Sequence, residues 1–410
     1  MASIKLGILK ETKTPPDKRV PLSPAQCAQV QRDYPHVEVV VQPSDIRKFK
    51  DAEYTAAGVT LQEDLSDCDI LMGVKEVKIE TFIPGKTYLF FSHTFKLQPY
   101  NAKLLKAVLD NKIRLVDYEV IRAAGGGPRL IGFGRYAGVV GCYNGLRTFG
   151  LKHGLYELKP AHACEDRVEM EGELAKVQLP DSAKFVLTGW GLVGHGAREI
   201  MDLLPIQEVN KDAFLNAEHT GPVFTHLNTE DTFKRTSDGG FDKGEFYRDP
   251  SGYETAFLPY AHAADMYVAC HYWKEGSPFI FTREDMKDDR WKISVVADVS
   301  CDIDGPVACT VEPSTIADPM YGYHIADEKR VADFRAPGTI AVMAVDNLPC
   351  ELPKDASEDF GAEMIKNVLP HLLGSDDQEV IWKATETTLE GSLTPHFGYL
   401  ADYVANAPTP

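Results

Sequence analysis

Lys184-Phe-Val-Leu-Thr188 runs directly into Gly189-Trp-Gly191-Leu-Val-Gly194-His-Gly196-Ala197. The first five residues form a short apolar run and predict a buried strand. Downstream, Ala197, Ile200, Met201 and Leu204 recur at the helical period and predict a helix. A G-x-G-x-x-G string set between a strand and a helix has the context of a dinucleotide-binding turn. Each glycine has its own reason. Gly189 permits the tight turn, Gly191 lets backbone approach a pyrophosphate, and Gly194 lets the helix pack close to the strand. The helix start offers free N–H groups, those of Leu192 and Val193 among them, and a positive dipole end to phosphates. The stretch therefore predicts a site for NAD or NADP.

Choosing between the two depends on the tip of the second strand, where NAD sites place an acid about 20 residues beyond the glycines. The sequence puts that strand at residues 206–209, followed by Asn210-Lys211-Asp212. Glu208 or Asp212 suits a ribose hydroxyl, and Lys211 suits a 2′-phosphate. The cofactor stays open between NAD and NADP, with Asp212 the candidate acid.

Working outward, the first third alternates short apolar runs with helical patterns. Residues 4–9, 37–41, 70–74, 88–91 and 113–116 read as strands, and 24–32 as a helix. That rhythm predicts a parallel α/β sheet. Residues 125–145 are glycine-rich. Past Gly134 they become helix-compatible, with Ala137, Gly138 and Gly141 on one face, which predicts a long connecting helix packed closely on a neighbour. After the glycine loop, residues 210–249 read as a polar surface insertion. Strands resume at 266–269, 293–297 and 340–345. Residues 347–410 look helical and carry no nucleotide motif, so they are expected to return to the first domain.

Composition bounds the rest. A chain of 410 residues is too long for one ordinary core and suggests about two domains. The formal net charge is −18, from 61 acids and 43 bases, a surface that repels phosphate backbones and anionic lipid. No nucleic-acid or membrane partner is expected, and no stretch is apolar enough to cross a bilayer. The beginning of the chain carries Lys5 and Lys10 where a signal peptide needs an unbroken apolar core. The eight cysteines show no CxxC pair, which argues against zinc or other metal sites and predicts reduced, mostly buried thiols in a cytoplasmic protein.

Chemistry-bearing residues collect at expected strand ends. Lys75 closes residues 70–74. His93 and Lys96 follow 88–91. Asp117 and Glu119 end 113–116, and Arg19 lies in Lys18-Arg19-Val20-Pro21. Any one of these alone is an ordinary strand cap. Together they match the rule that ligands of open α/β sheets bind outside the carboxyl ends of the strands. Their chemistry suits dehydrogenation of an amine. A base must take the nitrogen proton before hydride leaves carbon, a task for a lysine with a lowered pKa. A second acid/base must activate water on the imine, a task for histidine. Arg19, Lys96 and Arg129 are cations fit to pair with substrate carboxylates.

At these residues the chain resembles the alanine dehydrogenase/saccharopine dehydrogenase superfamily. The resemblance rests on KETKTPPDKRVPLSP, GVKEV, KTYLFFSHTFK, RLVDYE, GFGRYAGVVG, FVLTGWGLVGHGA, VADVSCDIDGPV, PSTIADPMYGY and AVDNLPCELPKDAS, and so covers nearly the whole chain. It is most similar to lysine–2-oxoglutarate reductase domains, then to lysine-forming saccharopine dehydrogenases. It implies two Rossmann-like α/β domains with parallel sheets and a cleft between them. Residues 1–135 and 346–410 would form a discontinuous substrate-binding domain, and 136–345 the NAD(P)-binding domain. It also implies that Lys75 and His93 are the acid/base pair and that Arg19 and Lys96 lie near substrate carboxylates. Glu76, Asp117 and Glu119 would tune the pair, and Asp298, Asp346 and Asn347 would fall near the cofactor.

The expected activity is NAD(P)-dependent interconversion of saccharopine with L-lysine and 2-oxoglutarate. The partners are then small amino-acid and 2-oxo-acid substrates, and a homo-oligomer is compatible with this reading. Alternatives are an alanine-type dehydrogenase using pyruvate and ammonia, a related opine-forming enzyme, or a non-catalytic nucleotide sensor.

Overall fold

A computed structural model of the chain describes residues 3–407. The chain divides into two compact units, residues 1–133 with 353–410, and residues 134–352.

The first unit is built on six strands: β1 (Ile4–Ile8), β2 (Val37–Val41), β3 (Thr60–Leu61), β4 (Ile70–Lys75), β5 (Thr87–Phe91) and β6 (Arg114–Asp117). They pair in the order β3-β2-β1-β4-β5-β6, every pair parallel. Runs such as ILMGVK and TYLFF are apolar almost throughout because both faces of a parallel sheet are covered. The Pro24–Asp33 helix opens on a capping box. The Ser23 hydroxyl accepts from Gln26 N–H, and the Gln26 side chain accepts from Ser23 N–H at 2.9 Å.

Residues 353–407 belong to this unit as well. They begin with the Pro353–Glu363 helix, whose Phe360 stacks on Phe133 at 4.4 Å and packs beside Phe91 and Tyr118. Further on they cover the open edge of β6. Glu386 N–H donates to Leu115 O, Leu115 N–H donates to Thr387 Oγ1, and Val116 bridges Thr385 in antiparallel sense. An uncovered edge strand would present unpaired N–H and C=O groups.

The second unit contains β7 (Lys184–Thr188), β8 (Gln207–Glu208), β9 (Val223–Leu227), a small hairpin of β10 (Phe233–Arg235) and β11 (Tyr253–Thr255), β12 (Met266–Ala269), β13 (Val295–Asp298), β14 (Met320–His324), β15 (Lys329–Val331) and β16 (Thr339–Met343). The large sheet runs β15-β14-β16-β13-β12-β7-β9-β8. It is parallel from β16 to β8, with β14 and β15 antiparallel at one edge. The order reverses around β7, which makes its carboxyl end the topological switch point.

The Gly134–His153 helix packs as its small-residue face requires. A Cβ on Gly138 would stand 1.8 Å from Val193 O, and one on Gly196 would stand 1.9 Å from Arg135 O. No side chain larger than hydrogen fits at either crossing.

The expectation of a polar surface insertion over 210–249 is overturned. Its middle is β9, whose five residues are all buried and which lies directly beside β7. Phe233 and Phe246, from the same stretch, join the second unit's core. The run VFTHL reads as broken by Thr225 and His226, yet the sheet buries both. The strand expected at 206–209 is only the two-residue edge strand β8.

All eight cysteines are free thiols, and no helix among the described residues is long and apolar enough to cross a membrane.

Candidate active site

The glycine turn follows β7 at the switch point. Gly189 has φ 94°, and a Cβ there would meet Cys270 O at 2.3 Å. Gly194 approaches Gly189 so closely that its Cβ would stand 1.8 Å from Gly189 O. Gly191 is the opposite case, because nothing lies within 4 Å of a Cβ built on it. The backbone at Gly191 therefore faces open space at the start of the Leu192–Met201 helix, and no side chain caps that end. Uncapped N–H groups, a dipole end and an approachable backbone fit a pyrophosphate.

Two aromatic residues brace the turn. His226, on β9, donates from Nε2 to Gly189 O at 2.6 Å, and its ring stacks on Trp190 at 4.1 Å and 12°. Burial pushes the His226 imidazolium down, in keeping with a neutral ring. Neither Trp190 nor His226 is legible in the sequence as part of the site, because strand pairing alone brings His226 to the turn.

Beyond β8 and β9 lies a cavity of about 550 Å³, lined in part by Glu208, Lys211, Asn228, Glu230 and Asp231. Asn228 directly follows β9 and so holds the ribose position expected for a second strand. Lys211 is paired to Asp231 at 2.5 Å, and Glu208 takes the Arg198 guanidinium at 2.5 and 2.7 Å. Asp212, the sequence candidate for the ribose acid, is displaced. It is exposed in the first turn of the Lys211–Asn216 helix and does not line the cavity. The sequence pattern points to β8, whereas the strand paired to β7 is β9.

The other cofactor candidates fare unevenly. Asp298 ends β13 fully buried. Its Oδ1 accepts from Ser300 N–H and Cys301 N–H, and its Oδ2 accepts from Thr310 Oγ1 at 2.7 Å. Burial pushes it up to about 6, and it serves to close its own loop. Asp346 is exposed just past β16, and Asn347 precedes the Leu348–Glu351 turn.

In the first unit, the carboxyl ends of four neighbouring strands carry the polar residues. Past β1, Glu11 accepts from Val74 N–H at 2.6 Å and Lys75 N–H at 3.0 Å. Burial, with the Asp17 charge adding to it, pushes Glu11 up to about 7. Lys75 ends β4, paired in register with Phe91 of β5, and its charge helps hold Asp17 down. Arg19 is buried and grips Asp17 through two N–H groups, at 3.0 and 2.6 Å, with its guanidinium 4.2 Å over the Phe133 ring. Burial alone would raise Asp17, but Arg19 outweighs it and holds Asp17 at about 2. A substrate carboxylate would have to compete with Asp17 for Arg19. Glu76, the expected tuner of Lys75, is paired with Lys13.

Past β5, His93 sits in the left-handed region at φ 56°. Its Nε2 lies 3.2 Å from Glu119 Oε2. The other oxygen of Glu119 faces Lys96 Nζ at 3.0 Å and the Arg129 guanidinium at 3.6 Å. Burial opposes the charge on Glu119, but His93 and Lys96 outweigh it and hold the carboxyl at about 2. Asp117, at the end of β6, is fully buried under the His93 turn and accepts from Ser92 N–H, His93 N–H, Ser92 Oγ and Glu119 N–H.

Residues 7–140 match the family described as alanine dehydrogenase/PNT, N-terminal domain. Over 400 residues the chain is 30% identical to the alpha-aminoadipic semialdehyde synthase of Arabidopsis thaliana, covering 87% of this chain and 37% of that protein. It spans less than half the length of the aminoadipic semialdehyde synthases it matches. The NAD(+), L-lysine-forming saccharopine dehydrogenase of Yarrowia lipolytica is 24% identical over 401 residues, covering 93% of this chain and 95% of that one. A solved L-alanine dehydrogenase shares the fold, with a TM-score of 0.65 over 99% of this chain and 100% of its own at 14% identity.

Within residues 7–140, the structure gathers His93, Lys96, Asp117, Glu119 and Arg129 into one cluster, with Lys75 on the adjoining strand end. Glu11 and Asp17 were passed over in the sequence, although both lie in the quoted KETKTPPDKRVPLSP stretch. Glu386 was passed over as well, and nothing in its polar surroundings marks it.

Proposed function

We propose that the chain is a nicotinamide-dependent oxidoreductase acting on a CH–NH bond, interconverting saccharopine with L-lysine plus 2-oxoglutarate. The observation that carries this reading is the His93–Glu119 contact flanked by Lys96 and Arg129, on the strand ends next to Lys75. The names of the relatives support the same chemistry.

A bound nicotinamide would supply the hydride acceptor on saccharopine and the hydride donor in the reverse direction. The chain's own residues do the rest. Lys75 takes the proton from the secondary amine. His93, held by Glu119, takes a proton from the water that adds to the imine carbon and returns it to the departing lysine nitrogen. Lys96 and Arg129 receive substrate carboxylates, a role that their loose shared contact with Glu119 leaves open to exchange.

NAD fits the cavity beyond β9 better than NADP does. Glu208, Glu230 and Asp231 oppose a 2′-phosphate, while Lys211 and Arg198 are already paired to two of them. Asn228 can still hydrogen-bond a ribose hydroxyl.

The test mixes lysine, 2-oxoglutarate and either NADH or NADPH and follows absorbance. A parallel mixture of pyruvate, ammonium and NADH tests the alanine-type alternative. Oxidation of neither cofactor with lysine and 2-oxoglutarate removes the saccharopine reading.

A further inference from the structure

Beneath the His93 turn lie two buried carboxyl groups far apart in the sequence, Asp117 and Glu386, joined through two hydroxyls. Ser92 Oγ stands 2.6 Å from Asp117 Oδ2 and 2.7 Å from Thr94 Oγ1, and Thr94 Oγ1 is in close contact with Glu386 Oε2. All four side chains are buried, both carboxyls at 0% exposure. Three close oxygen–oxygen contacts each need a proton, and the two hydroxyls supply one apiece. The third proton has to sit on a carboxyl.

The donor inventory says which one. Asp117 accepts from three backbone N–H groups, those of Ser92, His93 and Glu119, besides the Ser92 hydroxyl. That is the environment of an ionised carboxylate. Among the described residues, the Glu386 carboxyl has only the two hydroxyls as partners, that of Ser92 at a distant 3.5 Å. We infer that Glu386 stays protonated at neutral pH and donates into a one-way chain, Glu386 to Thr94 to Ser92 to Asp117, which fixes the backbone of His93. Glu386 is thus a positioning residue for His93, supplied by the carboxyl-terminal segment.

Independent physics agrees. Burial raises both carboxyls, and for Glu386 the Asp117 charge adds to it and pushes the group up to about 8. Among the described residues, the titratable groups acting on the pair include His93, Tyr118, Tyr399 and Tyr403, and the tyrosines offer no positive charge to stabilise a second carboxylate. Two like charges in so dry a site do not both persist.

The role given to His93 rests on the proposed function, but the protonation of Glu386 does not, and the experiment separates them. Infrared difference spectra of the full chain at pH 7, native against E386Q, should show the C=O band of a protonated carboxyl lost in the variant. Loss of a carboxylate band instead overturns the proposal. Stability gives a second readout. The folded Glu386 keeps a proton that the unfolded chain releases above its ordinary 4.5, so its contribution to stability falls as pH rises from there towards about 8. The stability of E386Q relative to the native chain should therefore rise across that window. A flat difference overturns the proposal.

With lysine and 2-oxoglutarate as substrates, E386L, which cannot donate, should lower kcat by roughly tenfold or more with cofactor KM unchanged. E386Q, whose amide still donates to Thr94, should recover most of that loss. Native kcat in E386L overturns the positioning role. If E386L does not fold, the E386Q comparisons still decide. If no substrate turns over, the infrared and stability results still stand alone.

Discussion

Glu119 holds His93 with one carboxylate oxygen and Lys96 with the other, at 3.2 and 3.0 Å. One acid thus ties the proposed water-activating residue to a proposed substrate cation. Because Glu119 is held at about 2, against an ordinary 4.5, its contribution to stability is complete above 4.5 and drains away as pH falls towards 2. The expected result is a native-minus-E119Q stability difference of about 1 kcal/mol at pH 6, after allowing for solvent screening, that vanishes by about pH 2. Urea denaturation at a series of pH values measures it.

Lys75 should be separable from cofactor binding. K75M is expected to lower kcat by about 100-fold or more while NADH still binds with native affinity, as read by fluorescence titration. Equal loss of binding and turnover would place Lys75 in the cofactor site instead.

The glycines of the turn should divide into two kinds. G194A forces backbone apart, since its Cβ would sit 1.8 Å from Gly189 O, and should cost about 1–3 kcal/mol of stability. G191A meets nothing within 4 Å, so the fold should tolerate it. Its methyl would occupy the space a pyrophosphate needs, and NADH affinity should fall about tenfold. Thermal unfolding and calorimetric titration of both variants distinguish the two behaviours.

Cofactor choice gives the most direct test of the acidic cavity. NADH should bind at least about tenfold more tightly than NADPH, and E208Q or D231N should narrow the gap. Equal affinities would remove the case for NAD. Binding of neither would remove the dinucleotide reading itself.

Legibility in the sequence followed the hydrophobic pattern. Runs such as Tyr88–Phe91, Met266–Ala269 and the strand before Gly189 announce themselves because both faces of each strand are buried. β9 did not, because Thr225 and His226 interrupt its apolar run, and the His226 contact with Gly189 is one that no periodicity encodes. Its misplacement carried the ribose acid to Asp212. Lys75, His93 and Glu119 were legible as strand-end chemistry. Glu386 was not, because its meaning depends on residues 292 and 294 positions away in the chain.

That distance has a consequence for how the protein is made. The second unit is one continuous stretch, 134–352, and can close as soon as it leaves the ribosome. The first unit cannot. Until residues 353–410 arrive, β6 has a bare edge and Thr94 and Ser92 lack Glu386. The nascent chain can therefore complete its second unit before its first, and the His93 turn is finished only once the segment carrying Glu386 has been made.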